Sequence, residues 1–518
     1  MGNRLLHQPH GARGRREVPE GGPALKIACI AAEMAPIAKV GGLGDVTQSL
    51  ADELRRRGHD VRVFLPRYAA IRADRHPAYP VAGASSFDVP VGGRIVKAAL
   101  SASEPAGIPS VYYIENDAYF GRKGIYDDPD TREGYPDSAE RFIFFQRAAL
   151  EALRRVGFRP DVIHCHDQHT ALVPAYLKRT LAQDPFFAGV GSVFTIHNLG
   201  YQGIYPPATM ALAGFPMEAF HAMSPFEYFD RMNFMKTGIS LADVVTTVSP
   251  TYAREICTPA SGEGLDGVLR EKGADLVGIL NGIDPDVWNP GKDPALPVHY
   301  TAASPAGKSA CRAELLKRMS LAPIGGAMLI GIVTRLAEQK GLDLIETAME
   351  RLMGLHVQLA VLGTGQERFH RMLTESAARW PAKVTVKFGF SEDLAHLIEA
   401  GADAFLMPSR YEPCGLNQMY SLRYGTVPLV RATGGLADSV VDADAKAATG
   451  DGFSFTDYTP EAMLDAVTRS VRAFTDRARW AAIMKRGMER DFTWSRSASA
   501  YEQVYQRAVA RAATRALV

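Results

Sequence analysis

Short apolar runs alternate along the chain with segments whose apolar residues recur at helical spacing. The first run, residues 25–30, is followed by a glycine-rich loop and by Val46, Leu50 and Leu54, which share one face of a predicted helix ending near Gly58. Further apolar runs, two of which continue into polar residues, predict strands within 60–65, 161–169, 193–199, 243–248, 328–333, 358–362, 384–388, 402–407 and 427–430. This repetition of strand, loop and helix predicts an α/β protein.

Part of the first half departs from this repetition. Residues 81–115 alternate in short β-like pieces, with Gly92-Gly93 as the predicted hairpin turn. Residues 116–137 are rich in Tyr, Gly, Asp and Arg and predict a long functional loop. An amphipathic helix is expected at 138–156, closed by Gly157.

Two series of strands are separated by residues 276–284, which we interpret as a crossover between domains. The predicted fold is therefore α/β, with two Rossmann-like domains facing each other across a deep cleft. The N-terminal domain is placed at 24–275 and the C-terminal domain at 276–492, and residues 493–518 complete a helical, Ala- and Arg-rich end. The sequences of residues 41–46 and 434–439 are similar, which agrees with two structurally related domains.

Composition narrows the class of protein. The 518 residues carry a net charge of +1, which offers no basic field for nucleic acid. No uninterrupted apolar run reaches the roughly 18 residues of a membrane span. Five dispersed cysteines without CxxC spacing favour reduced thiols and a cytoplasmic location. Residues 1–23 lack the apolar core of a secretory signal and are expected to form a disordered tail; Glu17, Glu20 and the absence of Ser disfavour a transit peptide.

A candidate site lies at 408–418, between the predicted strand 402–407 and a helix predicted at 415–424. Ligands of open α/β sheets bind at the carboxyl ends of the strands, and a helix amino terminus favours an anion. Glu412 places a negative charge beside that anion site, which indicates contact with neutral hydroxyls or developing positive charge. Cys414, next to the same helix start, is expected to have a lowered pKa; a simple packing role is the alternative.

Three cations are candidate ligands for a phosphate. Arg335 ends the predicted strand 328–333, and Lys340 follows five residues later before a helix. Two cations at one strand end are costly unless an anion neutralises them, although a solvated loop pair is the alternative. Lys39 lies in the glycine-rich first loop, where a plain surface lysine is the alternative, and Asp45 is expected to cap or orient the next helix. The loop lacks the GxGxxG spacing of dinucleotide sites.

A metal site is a minor alternative near His164, His166 and His169. The first two share one strand face, which is compatible with ligation, but the sequence offers no obvious third ligand.

Four blocks, in order across nearly the whole chain, carry a family resemblance. They are Lys39-Val-Gly-Gly-Leu-Gly-Asp-Val46, Arg335-Leu-Ala-Glu-Gln-Lys-Gly341, Tyr411-Glu-Pro-Cys-Gly-Leu416 and Thr433-Gly-Gly-Leu436. In these blocks the chain resembles bacterial glycogen synthases and plant starch synthases. The resemblance implies the two-domain GT-B fold, with the last helix crossing back to the first domain.

The resemblance also implies an activity: transfer of glucose from ADP-glucose to the nonreducing 4-OH of an α-1,4-glucan, with retention of configuration by front-side attack and without a metal or other cofactor. The implied catalytic residues are Glu412, His197, Arg335 and Lys340. The implied substrate-binding residues are Lys39, Gly41, Gly42, Asp167, Asn281, Phe390, Cys414, Gly415, Leu416, Thr433 and Gly434.

One position departs from the family pattern, and several alternatives stay open. Gln168 replaces the usual Trp after Asp167. Tyr420 stands where many other two-domain transferases carry a second Glu, which the glycogen and starch synthase type also tends to lack. Phe390 is expected either to stack on the nucleotide base or to be a core aromatic. The alternative functions are a transferase using UDP-glucose or forming sucrose, and a silent glucan-binding regulator, which the intact cations and Glu412 disfavour. The sequence does not predict an oligomeric state.

Overall fold

The computed structural model describes residues 23–104, 110–131 and 133–516. The predicted disordered tail at 1–23 lies outside these residues, apart from Pro23. Two sheets, each covered by helices, form two domains, and a helix from the end of the chain returns to the first. The predicted fold class is confirmed.

The first domain is built on a ten-stranded sheet with the order β13-β12-β8-β7-β1-β2-β6-β5-β3 and with β4 paired to β5. A separate three-stranded sheet has the order β10-β11-β9. Its existence was not predicted, because its strands are only two or three residues long. The strands are β1 Lys26–Ile30, β2 Asp60–Pro66, β3 Tyr79–Pro80, β4 Phe87–Val91, β5 Arg94–Ser103, β6 Ser110–Glu115, β7 Val162–His166, β8 Gly191–Ile196, β9 Ile204–Tyr205, β10 Glu227–Tyr228, β11 Arg231–Asn233, β12 Val244–Thr247 and β13 Leu276–Gly278.

Helices cover the faces of this sheet, and most of its parallel strands are buried along their length. The predicted hairpin turn at Gly92-Gly93 is confirmed, with both residues at positive φ. The helices of this half are α1 Gly42–Arg56, α2 Asp117–Phe120, α3 Ser138–Arg155, α4 Val173–Ala175, α5 Thr209–Ala213, α6 Phe234–Leu241, α7 Pro250–Glu255 and α8 Asp266–Lys272.

The second domain contains a six-stranded parallel sheet, β16-β15-β14-β17-β18-β19. Its strands are β14 Met328–Leu336, β15 Val357–Gly365, β16 Val384–Phe388, β17 Ala404–Met407, β18 Val427–Arg431 and β19 Phe453–Phe455. The remaining helices are α9 Gly307–Arg318, α10 Leu342–Gly354, α11 Glu367–Arg379, α12 Glu392–Gly401, α13 Asn417–Arg423, α14 Gly434–Ser439, α15 Pro460–Thr475, α16 Arg477–Met488 and α17 Trp494–Ala516.

The last helix, α17, packs on the first domain. Its residues Trp494, Tyr501 and Tyr505 are buried in the core that β1, β7 and β8 also build. The predicted boundary at 275/276 needs a small correction, because β13 pairs in parallel with β12 and so extends the first sheet to Gly278. A three-residue strand carries too little pattern to be assigned to one sheet from sequence.

Candidate active site in the interdomain cleft

A cavity of about 1120 Å³ lies between the two domains at the carboxyl ends of their strands. Residues from both halves of the chain line it. Among the predicted site residues, the lining includes Gly41, Gly42, Asp167, His197, Asn281, Arg335, Lys340, Glu412, Cys414, Gly415 and Leu416. Four predicted residues are not part of this lining: Lys39, Phe390, Thr433 and Gly434.

Glu412 and Lys340 form the central ion pair of the cleft. The Lys340 Nζ lies 2.7 Å from Glu412 Oε2, and the Ser409 hydroxyl donates to the same oxygen at 3.0 Å. The Glu412 side chain is only 7% exposed, whereas that of Lys340 is 21% exposed. Because β14 and β17 are neighbouring parallel strands, the residues after their carboxyl ends meet. A carboxylate and an ammonium group are therefore fixed side by side in a largely dehydrated position.

Arg335 adds a second cation to the same wall of the cleft. It lies near the end of β14, is exposed, and donates from Nη2 to Gln339 Oε1 at 3.1 Å. Its charge therefore stays available to an anion in the cavity, and contact of Arg335 and Lys340 with a phosphate stays a prediction.

The helix after Glu412 begins later than predicted, at Asn417 rather than Gly415. Gly415 has φ +68°, a left-handed conformation that favours glycine and excludes it from the helix. The expected lowering of the Cys414 pKa is wrong, and the alternative packing role is the one that the structure shows. The Cys414 thiol is buried in a cluster with Val248, Ile283 and Met419, and this burial raises its pKa to about 12.

Glu33 organises the glycine-rich loop of the first domain, and sequence reasoning missed it. Its Oε2 accepts the backbone N–H groups of Val40 at 2.6 Å and Gly41 at 2.9 Å. Its Oε1 accepts the hydroxyl of Tyr126 at 2.7 Å. The sequence signal that could have identified Glu33 is an acidic residue placed three positions after the buried strand β1. The carboxylate holds the loop against the long 116–137 segment, whose Tyr126 also lines the cavity.

Lys39 lies beside the cavity and not in its wall. Its Nζ pairs with Asp45 in the first turn of α1 at 2.7 Å, and its side chain is 46% exposed. Burial raises the pKa of Asp45, while the positive charge of Lys39 opposes this rise. Asp45 therefore holds Lys39 near the cleft, and the contact of Lys39 with a donor phosphate stays a prediction.

Asp167 and His197 follow the ends of the adjacent strands β7 and β8. Asp167 has φ +54° and accepts the backbone N–H of His197 at 2.7 Å. Burial raises the pKa of Asp167 to about 7 and lowers the pKa of His197 to about 3. His197 is consequently a neutral imidazole near pH 7. It can exchange hydrogen bonds with sugar hydroxyls, but it supplies no positive charge.

The histidines considered for a metal have other partners. His164 contacts Thr195 and Tyr505, His166 lies 3.0 Å from the His197 ring nitrogen, and the His169 ring stacks on Tyr126. Within residues 23–104, 110–131 and 133–516, no group of three or more His, Cys, Asp or Glu side chains is arranged to hold a metal.

Thr433 and Gly434 face the other domain in this structure. The Thr433 hydroxyl and the Gly434 N–H donate to the carboxylate of Glu255, at the end of α7, at distances of 3.0 Å. Thr251 of α7 also donates to Asp438 of α14 through its N–H and hydroxyl, at 2.8 and 2.6 Å. These contacts join the two domains, and a carboxylate of the first domain occupies the start of α14.

The aromatic residues Phe390 and Tyr420 have different environments. Phe390 is 88% exposed, so its interpretation as a core aromatic is wrong, and base stacking stays a prediction. Tyr420 stacks on Trp288 with ring centroids 3.6 Å apart, and Trp288 stacks on His396. Tyr420 thus packs against Trp288, which lies just after the crossover segment 276–284, and is not part of the cavity lining.

Comparison with known proteins agrees with this geometry. The family model "Starch synthase catalytic domain" matches residues 26–271, and "Glycosyl transferases group 1" matches residues 317–485. A glycogen synthase from Geotalea uraniireducens is 46% identical over 488 residues, covering 94% of this chain and 99% of the relative. The chain belongs to the glycogen and starch synthase family.

Two solved structures share the GT-B fold of this chain. The catalytic domain of starch synthase IV from Arabidopsis thaliana, bound to ADP and acarbose, matches with a TM-score of 0.86 and 34% identity, covering 94% of this chain and 100% of that one. A sucrose-phosphate synthase from Thermosynechococcus elongatus, 18% identical with a TM-score of 0.56, shares the fold. Among the described residues, none of the helices is long and apolar enough to cross a membrane.

Proposed function

We propose that this glycosyltransferase transfers glucose from ADP-glucose to the nonreducing 4-OH of an α-1,4-glucan, with retention of configuration, in the cytoplasm. The observation that carries the proposal is the Lys340–Glu412 pair, set beside Arg335 in the interdomain cavity and facing the polar wall of Asp167 and His197. This arrangement provides cations for a departing diphosphate and a carboxylate for the transferred sugar. The ADP found in the related starch synthase IV supports the choice of nucleotide.

The reaction is proposed to need no metal. Negative charge grows on the diphosphate as the bond to glucose breaks, and Arg335 and Lys340 are fixed charges that stabilise it. Glu412, held by Lys340 and Ser409, stabilises the positive charge that develops on the sugar ring. His197 is neutral, so it contacts hydroxyl groups without opposing that charge.

Retention by front-side attack fits the state of three carboxylates that line the cavity, Glu412, Glu33 and Asp167. Double displacement needs a carboxylate free to attack the anomeric carbon. Here Glu412 is paired with Lys340, Glu33 accepts three hydrogen bonds, and Asp167 accepts the backbone N–H of His197. The departing phosphate is the proposed acceptor of the proton from the attacking 4-OH.

The test is a panel of glucose-labelled ADP-glucose and UDP-glucose, each with glycogen, after exhaustive treatment with EDTA. We expect incorporation from ADP-glucose, sensitivity of the product to an α-1,4-specific glucosidase, and loss of turnover in Glu412→Gln, which is nearly isosteric. Stronger incorporation from UDP-glucose contradicts the donor assignment. Activity restored only by Mg²⁺ or Mn²⁺ contradicts the metal-free mechanism, and no incorporation from either donor by folded protein favours a silent glucan-binding role.

A further inference from the structure

A short hairpin at the edge of the cavity has a turn whose sequence is unfavourable for its backbone conformation. Strands β10 and β11 pair Tyr228 with Arg231, so Phe229 and Asp230 alone form the turn. Both have positive φ, 48° and 59°. Such two-residue turns favour Asn-Gly, because a side chain in the left-handed region clashes with its own backbone. A phenylalanine is an unfavourable residue for this position.

The Phe229 ring gains little packing in return for this strain. It is 80% exposed, and its neighbouring ring is Tyr228, whose centroid is 4.7 Å away in an edge-on arrangement. Residues held in strained backbone conformations cluster at active sites and ligand-binding sites. The combination at Phe229 therefore calls for a ligand.

The hairpin is a continuation of the cavity wall. Tyr228 lines the cavity and donates its hydroxyl to the Glu263 carbonyl at 3.0 Å. On its other side, β11 pairs with β9, whose Tyr205 also lines the cavity. Asn233, at the end of β11, donates to Gln202 at 2.6 Å. These contacts attach both strands of the hairpin to elements that form the first-domain side of the cleft.

We infer that Phe229 is a stacking platform for the part of a long α-glucan that leaves the cleft. This inference rests on the proposed function. If a chain end reacts between the domains, the following sugar units leave through the mouth of the cavity, and the apolar C–H faces of their rings match an exposed aromatic face. Tyr201, which is 55% exposed, is a further aromatic side chain in the cavity lining. The platform contacts long chains and leaves short acceptors untouched.

The test compares glycogen with maltotriose as acceptors for wild type, Phe229→Gly, Phe229→Ala and Phe229→Trp. Loss of one stacking contact should raise the KM for glycogen about three- to tenfold in the Gly and Ala variants, with kcat and the maltotriose KM unchanged. The Trp variant should retain the wild-type KM. Glycine suits positive φ, so the Gly variant should unfold at a higher urea concentration than the Ala variant although both lack the ring. Tyr79→Ser is the matched control, because Tyr79 is 63% exposed but lies on the far edge strand of the first sheet.

Three outcomes overturn the platform. An unchanged glycogen KM in the folded Gly and Ala variants shows that the ring does not bind glucan. Equal losses with maltotriose and glycogen show that the hairpin only supports the cavity. An equal loss in Tyr79→Ser shows that any exposed ring binds glycogen. Wild-type transfer to maltotriose in the same assay checks the proposed function separately, so its failure is not confused with failure of the platform.

Discussion

The burial of the Lys340–Glu412 ion pair leads to a quantitative prediction about the free energy of unfolding, which is separate from the role of the pair in catalysis. The two charged groups are 2.7 Å apart, and the Glu412 side chain is 7% exposed. Replacing Lys340 by Met leaves a buried carboxylate with Ser409 as its remaining side-chain hydrogen-bond donor. Removal of one partner of a buried pair costs about 3–5 kcal/mol. Because Lys340 is 21% exposed and water reaches the site, we expect the lower end, about 3 kcal/mol.

Glu412→Gln should cost less. The amide oxygen still accepts from Ser409, and the uncompensated ammonium of Lys340 can turn toward solvent, so we expect a loss of about 1 kcal/mol. In the double variant Lys340→Met with Glu412→Gln, no buried carboxylate is left unpaired. Its loss should be about 2 kcal/mol rather than the additive value of about 4 kcal/mol, a coupling energy of about 2 kcal/mol.

Urea unfolding followed by tryptophan fluorescence measures these free energies. Trp480 is buried in the core of the second domain, where the pair lies, and Trp380 packs against that core. Arg351 and Glu461 provide a matched control pair, because they are 2.8 Å apart but 60% and 68% exposed. Their coupling should be too small to resolve. Additive losses at Lys340 and Glu412, within about 0.5 kcal/mol, would refute the argument that burial makes this pair strongly coupled.

Three further predictions concern other parts of the structure. Glu255→Gln removes the charge at the start of α14 and should lower the urea midpoint of unfolding, and an unchanged midpoint would show that this domain contact contributes nothing. Between pH 3.8 and about 7, the native state keeps the Asp167 proton whereas the unfolded chain releases it, because the pKa of Asp167 is raised in the native state. The free energy of unfolding should therefore fall as pH rises through this window, and it should fall less steeply in Asp167→Asn. Parallel plots of unfolding free energy against pH for the two proteins would contradict the raised pKa. Brief treatment with iodoacetamide at pH 8, read by peptide mass spectrometry, should modify the partly exposed Cys257 and spare buried Cys414, and preferential labelling of Cys414 would contradict its placement.

The sequence alone determined the α/β class, the two series of strands and part of the site. Periodicity is a local property, so most of the parallel strands of both domains were predicted to within a few residues. The three-residue strands β13 and β19 were not, because they carry too little pattern. Parallel topology then explains why Arg335, Lys340 and Glu412 line one cavity, because each lies at or just after the carboxyl end of a strand in one sheet. The family resemblance added the roles of these residues, which spacing cannot supply.

Tertiary structure decided which partner each polar group has. Nothing local to Thr433 shows that Glu255, 178 residues earlier, accepts its hydroxyl. Similarly, the environment of Cys414 is an apolar cluster that includes Val248 and Ile283 rather than an exposed helix start. The cost of a charge depends on its burial and on the groups within a few ångströms, and both are set by how distant segments pack. The sequence therefore determined where chemistry concentrates, whereas packing between the domains determined which groups remain available to a ligand.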